Sequence, residues 1–364
     1  MGIRCGIVGL PNVGKSTIFN ALAKAKAPAS NYPFCTIDPN VGIVSVPDER
    51  LDALSILFKP QKTTPTTIEF YDIAGLVAGA SKGEGLGNQF LGHIKEAEAI
   101  LHVVRCFEDE DIIHVSGSVD PIRDIEVIDT ELCLKDLDTI GKRYEKTEKL
   151  ARTGDKESRE AMPVYEKVKK ALENGTPLRR LGLTEEEKKI IKDLAFLTLK
   201  PVLYAANVAE KDVQDGGPFA PKVKEWAEKE GSQMIVISGK VESELVDLSE
   251  DEQKEFLKEL GLKEPGLLAL IREGYKLLEL ITYFTAGEKE VRAWTVKADT
   301  KAPQAAGVIH SDFERGFIRA EVMNYKDLIQ LGSQAAVKEK GLLRIEGKEY
   351  VTQDGDVMLF RFNV

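Results

Sequence analysis

The chain has 364 residues, 43% hydrophobic and 30% charged, a length that predicts two or three domains and a composition typical of globular proteins. No stretch is long and apolar enough to span a membrane, and the N-terminus has neither a secretion-signal layout nor a myristoylation pattern. Cys5, Cys35, Cys106 and Cys133 are scattered without a C-x-x-C pair, which argues against a disulfide framework or zinc site, and the formal net charge of −10 disfavours nucleic acid over most of the surface.

The first elements alternate between strand and helix. Ile3–Val8 is a short apolar run. A glycine-containing turn follows, then helical spacing over 16–24 through Ile18, Phe19 and Leu22. Further strands are expected at 42–46, 67–71, 100–106, 202–206 and 234–238. Most are continuous apolar runs, as expected of strands covered on both faces, which predicts an α/β fold with a mostly parallel sheet.

A long interruption separates the runs at 106 and 202. Leu137, Ile140, Tyr144, Thr147 and Ala151 step by three and four, a narrow helical stripe that Thr153-Gly154-Asp155 should break. A second helix carries Val164, Val168 and Leu172 and closes at Asn174-Gly175. Thr184 and Glu187 form a capping-box pattern for a third, through Ile190, Ile191, Leu194 and Leu197. This reads as an inserted, coiled-coil-like helical domain. From about 281 the pattern changes, with strands expected at 291–296, 316–322, 342–345 and 357–362 and a helix at 325–331. The expected division is 1–128 with 200–280, then 129–199, then 281–364.

Charge follows this division unevenly. Residues 130–198 hold 16 Lys and Arg against 14 Asp and Glu; residues 281–364 hold 12 against 12. The acidic excess therefore lies elsewhere. An RNA partner would meet the insert or the C-terminal segment, although the same balance suits two ordinary solvated domains. No sequence-specific DNA partner and no membrane partner are expected.

Gly9-Leu10-Pro11-Asn12-Val13-Gly14-Lys15-Ser16 fits the phosphate-loop pattern G-x-x-x-x-G-K-S/T between a strand and a helix. Backbone N–H groups of Asn12, Val13, Gly14, Lys15, Ser16 and Thr17 can cradle phosphates at a helix N-terminus. Lys15 neutralises the β- and γ-phosphates, and the Ser16 hydroxyl is a hard ligand for Mg²⁺. Thr36, in a loop before the strand at 42, is placed to close over Mg²⁺ and γ-phosphate. Asp72-Ile73-Ala74-Gly75 ends the strand at 67–71; Asp72 can hold a metal-bound water, and Gly75 can donate its N–H to the γ-phosphate. Glycines between 75 and 87 suggest a second switch segment.

Guanine-specific relatives of this class carry N-K-x-D after a later strand. Here Asn207-Val208-Ala209-Glu210 stands there. The lysine is gone, and the longer Glu210 carboxylate is poorly placed for bidentate guanine contact. Asn207 can both donate to and accept from adenine. Ser238-Gly239-Lys240 supplies the last base-contacting loop.

The phosphate loop, residues 31–39 and 72–87, the N-x-x-E at 207–210, and Lys301-Ala302-Pro303-Gln304-Ala305-Ala306-Gly307-Val308-Ile309-His310 make the chain resemble the YchF family, the ATP-preferring branch of the Obg-related P-loop proteins. The resemblance covers essentially the whole chain. It implies a C-terminal TGS domain of β-grasp type, Mg²⁺-dependent ATP hydrolysis, a cytoplasmic location and association with ribosomes and ribosomal RNA.

Hydrolysis needs a positioned water. Many triphosphatases place a Gln after D-x-x-G, but Leu76 stands there and can neither donate nor accept. His114 is the candidate to orient the water, and the resemblance also points to a His in this motif. His93, His102 and His310 receive no catalytic role. Asn12 is a candidate K⁺ ligand, with a loop hydrogen bond as the plain alternative. The expected function is a regulatory ATPase that turns over slowly without a stimulating partner. Its rivals are a GTPase, a nucleotide-gated binding module, and an RNA-binding adaptor.

Overall fold

The computed structural model describes residues 3–24, 41–72 and 95–363. Thr36, Gly75, Leu76 and His93 therefore lie outside the described residues, as do the glycines at 75–87. The first sheet contains β1 (Ile3–Val8), β2 (Val41–Ser45), β4 (Thr67–Asp72), β5 (Ala99–Arg105), β6 (Val202–Asn207) and β7 (Gln233–Ile237) in the order β2-β4-β1-β5-β6-β7. All neighbours are parallel except the edge pair β2–β4. Every residue of β5 and β6 is buried, which suits their mainly apolar sequence. After β1 the chain builds β2 and β4 on one side of it, then crosses to build β5, β6 and β7 on the other. At such a reversal the carboxyl ends of the strands open into a ligand crevice.

Helix α1 (Lys15–Lys24) packs Ile18, Phe19, Ala21 and Leu22 into this core. Helix α2 (Glu49–Phe58) and β3 (Lys62–Thr64) follow β2 but turn away from the first sheet. Neither was expected from the sequence, and both join the C-terminal core described below.

Helix α3 (Pro121–Arg152) is 32 residues long. Asp120 caps it by accepting from the N–H groups of Ile122 and Arg123, and Pro121 opens its first turn. It breaks at Thr153-Gly154, with Gly154 at φ 98°, where the sequence placed the break. Helix α4 (Lys156–Glu173) returns along it, and α5 (Glu185–Ile191) starts on the Thr184–Glu187 capping box. The third helix is shorter than expected: Leu194 lies in one 3₁₀ turn and Leu197 beyond it. The Asp136 carboxylate accepts from the backbone N–H groups of Leu197 and Thr198 at 2.9 and 2.7 Å. A continuing helix would need those donors for its own carbonyls.

The insert has its own core, around Ile140, Val168, Leu172, Leu178, Ile191 and Phe196. Its root is fastened ionically. Arg179 meets Asp129 of α3 at 2.6 Å and Glu230 at 2.5 Å, all three nearly buried. Glu230 ends α6 (Ala220–Glu230), which lies against the first sheet. After β7 come α7 (Gly239–Leu245), α8 (Glu250–Glu259) and α9 (Gly266–Leu277).

The second sheet adds β8 (Leu280–Ala286), β9 (Glu290–Lys297), β10 (Phe317–Asn324), β11 (Arg344–Glu346) and β12 (Asp356–Phe362), ordered β11-β10-β12-β8-β9-β3. Helices α10 (Ala302–Ile309) and α11 (Ser311–Arg315) cover one face, over Tyr283, Phe317, Val322 and Phe360. Helices α12 (Tyr325–Leu331) and α13 (Gln334–Glu339) cover the other, together with α2. There Leu51 and Leu54 pack with Phe284, Val291, Leu328 and Val337.

Candidate functional site

β1 ends at Val8, and the chain turns beneath β5 at Gly9. A Cβ at Gly9 would lie 2.4 Å from the Val103 carbonyl, so only glycine fits. The loop then brings Lys15 and Ser16 to the amino end of α1. Lys15 Nζ donates to the Leu10 carbonyl at 2.5 Å, across the loop it closes. Burial lowers its pKa to about 8, partly opposed by the charge of Asp72. Burial raises the Asp72 carboxyl, opposed by Lys15.

Asp72 ends β4, the strand beside β1. Its Oδ1 is buried without a hydrogen-bond partner, which has a cost unless something else satisfies it. A carboxylate oxygen of this kind beside a phosphate loop, with the Ser16 hydroxyl near the start of α1, fits a hydrated Mg²⁺.

A cleft of about 1040 Å³ runs from this loop to the base-side loops. Asn12, Gly14, Lys15, Ser16 and Thr17 line one end; Asn207, Val208, Glu210, Ser238 and Gly239 line the other. Val13 contributes from below through its carbonyl, which accepts from Asn207 Nδ2 at 2.8 Å. The sequence reading missed Phe107, Glu108, Asp109 and Ile112, which wall the cleft from the loop after β5, and Leu260 from the end of α8. They carry no motif. The rule that open α/β sheets bind ligands beyond their strand ends was the signal that could have found the β5 loop.

Two expected roles meet a different geometry. Asn207 is 4% exposed; its Oδ1 accepts from the Gly239 N–H at 2.9 Å while its Nδ2 holds Val13. It is a strut between the phosphate loop and the base-side loop, with one donor and one acceptor position of its amide already spent on the backbone. Glu210, by contrast, faces the cleft and meets Lys240 at 2.8 Å. The Ser238 hydroxyl is buried and unpartnered.

His114 does not line the cleft. It is 7% exposed, and its Nε2 lies 2.8 Å from Asp124 Oδ2. Its Nδ1 accepts from the Ser116 N–H at 3.0 Å. That assigns the proton to Nε2, donating to Asp124, so both nitrogens are engaged and no lone pair faces a water. In this arrangement the ring is turned to Asp124 and Ser116 rather than to the cleft. Its loop nevertheless touches the site: Asn12 Nδ2 donates to the Ile113 carbonyl at 3.2 Å. Asn12 sits at φ 60°, so the amide expected at K⁺ also makes the plain loop bond. His102 is buried in β5, which lowers its pKa to about 3 and keeps it neutral, as suits a core residue.

A strand entering a phosphate loop and helix, with a buried, unpartnered carboxylate oxygen on the neighbouring strand, defines a P-loop nucleoside-triphosphate-binding protein. Residues 4–153 match a family model described as a 50S ribosome-binding GTPase, and residues 280–363 match the C-terminal YchF model. The chain belongs to the YchF family. It is 57% identical to the ribosome-binding ATPase YchF of Haemophilus influenzae over 364 residues, covering all of both chains. It is 56% identical to that of Bacillus subtilis strain 168 over 366 residues, again with full coverage. The solved structure of the Schizosaccharomyces pombe YchF GTPase superposes with a TM-score of 0.88 at 43% identity, covering 99% of this chain and 98% of that one. The names of these relatives thus divide between ATP and GTP.

Proposed function

We propose that this chain is a cytoplasmic, ribosome-binding ATPase that uses Mg²⁺. The observation that carries the choice of base is Glu210. Guanine recognition needs a free carboxylate against the ring N–H and amino hydrogens, and Glu210 is paired with Lys240. In this reading the N–H groups of residues 12–17 and the Lys15 ammonium bind the phosphates, and Gly75 donates to the γ-phosphate. Ser16, Thr36 and Asp72 hold the metal, Asp72 through water. Bound there, Mg²⁺ neutralises charge on the β- and γ-phosphates. Val208, Ser238 and Gly239 surround the base, with Asn207 holding their loops in place. A K⁺ ion at Asn12 belongs to the same reading, which expects faster turnover in KCl than in NaCl.

His114 acts as a base toward water only once its Nδ1 is released from the Ser116 N–H, with Asp124 holding the opposite ring nitrogen. Intrinsic turnover is therefore slow, and a partner that moves the loop raises it. Ribosomal RNA is assigned to the insert at 129–199 and the TGS domain at 281–364; residues 1–128 and 200–280 form the nucleotide domain, apart from 49–64, which join the C-terminal sheet and its core.

Equilibrium competition between labelled ATP and GTP in Mg²⁺ tests the base. A preference for ATP of at least about tenfold, near 1.4 kcal/mol, supports the reading; equal or tighter GTP binding rejects it. The engaged ring of His114 also favours a second reading, a nucleotide-gated binding module with little turnover. Multiple-turnover rates with and without ribosomes separate the two.

A further inference from the structure

The loops after β6 and β7 are bridged twice at the base end of the cleft. The inner bridge is Asn207 Oδ1 to the Gly239 N–H. The outer bridge is Glu210 Oε2 to Lys240 Nζ at 2.8 Å, and both of these side chains line the cleft. Guanine presents N–H donors at N1 and N2 where adenine presents a bare N1 acceptor and a C–H. A free carboxylate there attracts guanine and repels adenine N1. A carboxylate engaged by an ammonium does neither strongly.

We infer that Lys240 is a specificity-determining residue: by holding Glu210 in an ion pair it removes the carboxylate that would otherwise select guanine. The pair is partly exposed, so its contribution to folding is small and its consequence lies in which base is accepted. Glu244 lies close enough to Lys240 to add to the acidic potential around the ammonium. The inference rests on the reading that the adenine or guanine ring occupies this end of the cleft.

The test uses the full-length chain with Mg²⁺ and labelled ATP and GTP, in the wild type, Lys240→Met, Glu210→Gln and the double variant. Methionine keeps an unbranched apolar stem and removes the charge. Circular dichroism melts establish that each variant is folded. The expected result is a shift of the ATP-to-GTP affinity ratio toward GTP of at least about tenfold in Lys240→Met, abolished when Glu210→Gln is added. A folded Lys240→Met protein with the wild-type ratio overturns the inference, as does a double variant that keeps the shift. Failure of the ATP reading shows separately, as a wild type that already binds GTP as tightly as ATP.

Discussion

Lys15 is charged only in part near the upper end of the physiological range, because burial lowers its pKa to about 8. The protonated ammonium is the form that binds phosphate, and a bound phosphate holds that proton on. As pH rises through about 8, the free protein loses the proton and the complex keeps it. Nucleotide affinity should therefore fall above about pH 8, with proton uptake on binding. Calorimetry in buffers of different protonation enthalpy measures the uptake; a pH-independent affinity across this range rejects the assignment. Asn207 gives a sharper contrast between roles. Replacing it with Ala leaves the Val13 carbonyl and the Gly239 N–H without their partners, at about 1–3 kcal/mol for each group left unsatisfied. A strut predicts a lower denaturation midpoint and equal losses for ATP and GTP. Loss of ATP alone would restore the base-reading role. The identity of Asn207 was legible in the motif, while its role was not, because its partners are backbone atoms 194 and 32 positions away. His114 shows the same limit. Its position in a loop after β5 was readable, but the contact with Asp124 depends on how α3 begins, which its stripe of apolar residues does not specify.

Helix α9 begins over a buried acid. Glu242 on α7 is 2% exposed and accepts from the backbone N–H groups of Gly266 and Leu267 at 2.7 and 3.3 Å. Burial raises its pKa to about 7, against the opposing pull of those two donors. The folded state therefore holds a proton that the unfolded chain releases near 4.5. Stability from this group is complete below that value and is lost as pH rises through about 7. The total is about 3 kcal/mol at most. Glu242→Gln keeps one acceptor and removes the titration. Urea denaturation at several pH values should show the wild type losing ground to the variant as pH rises between about 5 and 8. Parallel pH profiles would place the titration elsewhere. This junction had no signature in the sequence, since an acid in a helix reads as a solvated residue. Elements defined by their own periodicity were legible: β5, β6 and α4 appear near their expected positions, and α3 contains the expected stripe at 137–151 but starts at Pro121, with Ile125, Ile128 and Leu132 in the core of the first sheet. Those defined by a distant partner were not, and α2 and β3 are the main examples.

Residues 49–64 tie the two sheets into one molecule. They lie between β2 and β4 in the chain, yet Leu54 is fully buried in the second core. Arg50 reaches Asp354 at 2.6 Å, and the Thr64 hydroxyl donates to Glu290 at 2.6 Å. Strand β3 is separated from β4 by only Pro65 and Thr66, and β4 ends at the unpartnered carboxylate of Asp72. One short segment thus runs from the C-terminal core to the phosphate site. Leu54→Ala should cost about 2–5 kcal/mol, as a buried leucine truncation does. Its place in the fold says where that loss falls. Amide exchange should quicken in β8, β9 and β12, whose residues surround Leu54, while β1, β5 and β6 keep their protection. Residues 281–364 expressed alone lack Leu51, Leu54 and the β3 edge, and should melt without a sharp transition. If that fragment melts cooperatively and Leu54→Ala exchanges uniformly across both sheets, residues 49–64 are a surface connection rather than part of the C-terminal core. A localised effect makes them the element through which strain in one sheet reaches the other, because every residue between Leu54 and Asp72 lies in a helix, a strand or a connection of two to three residues.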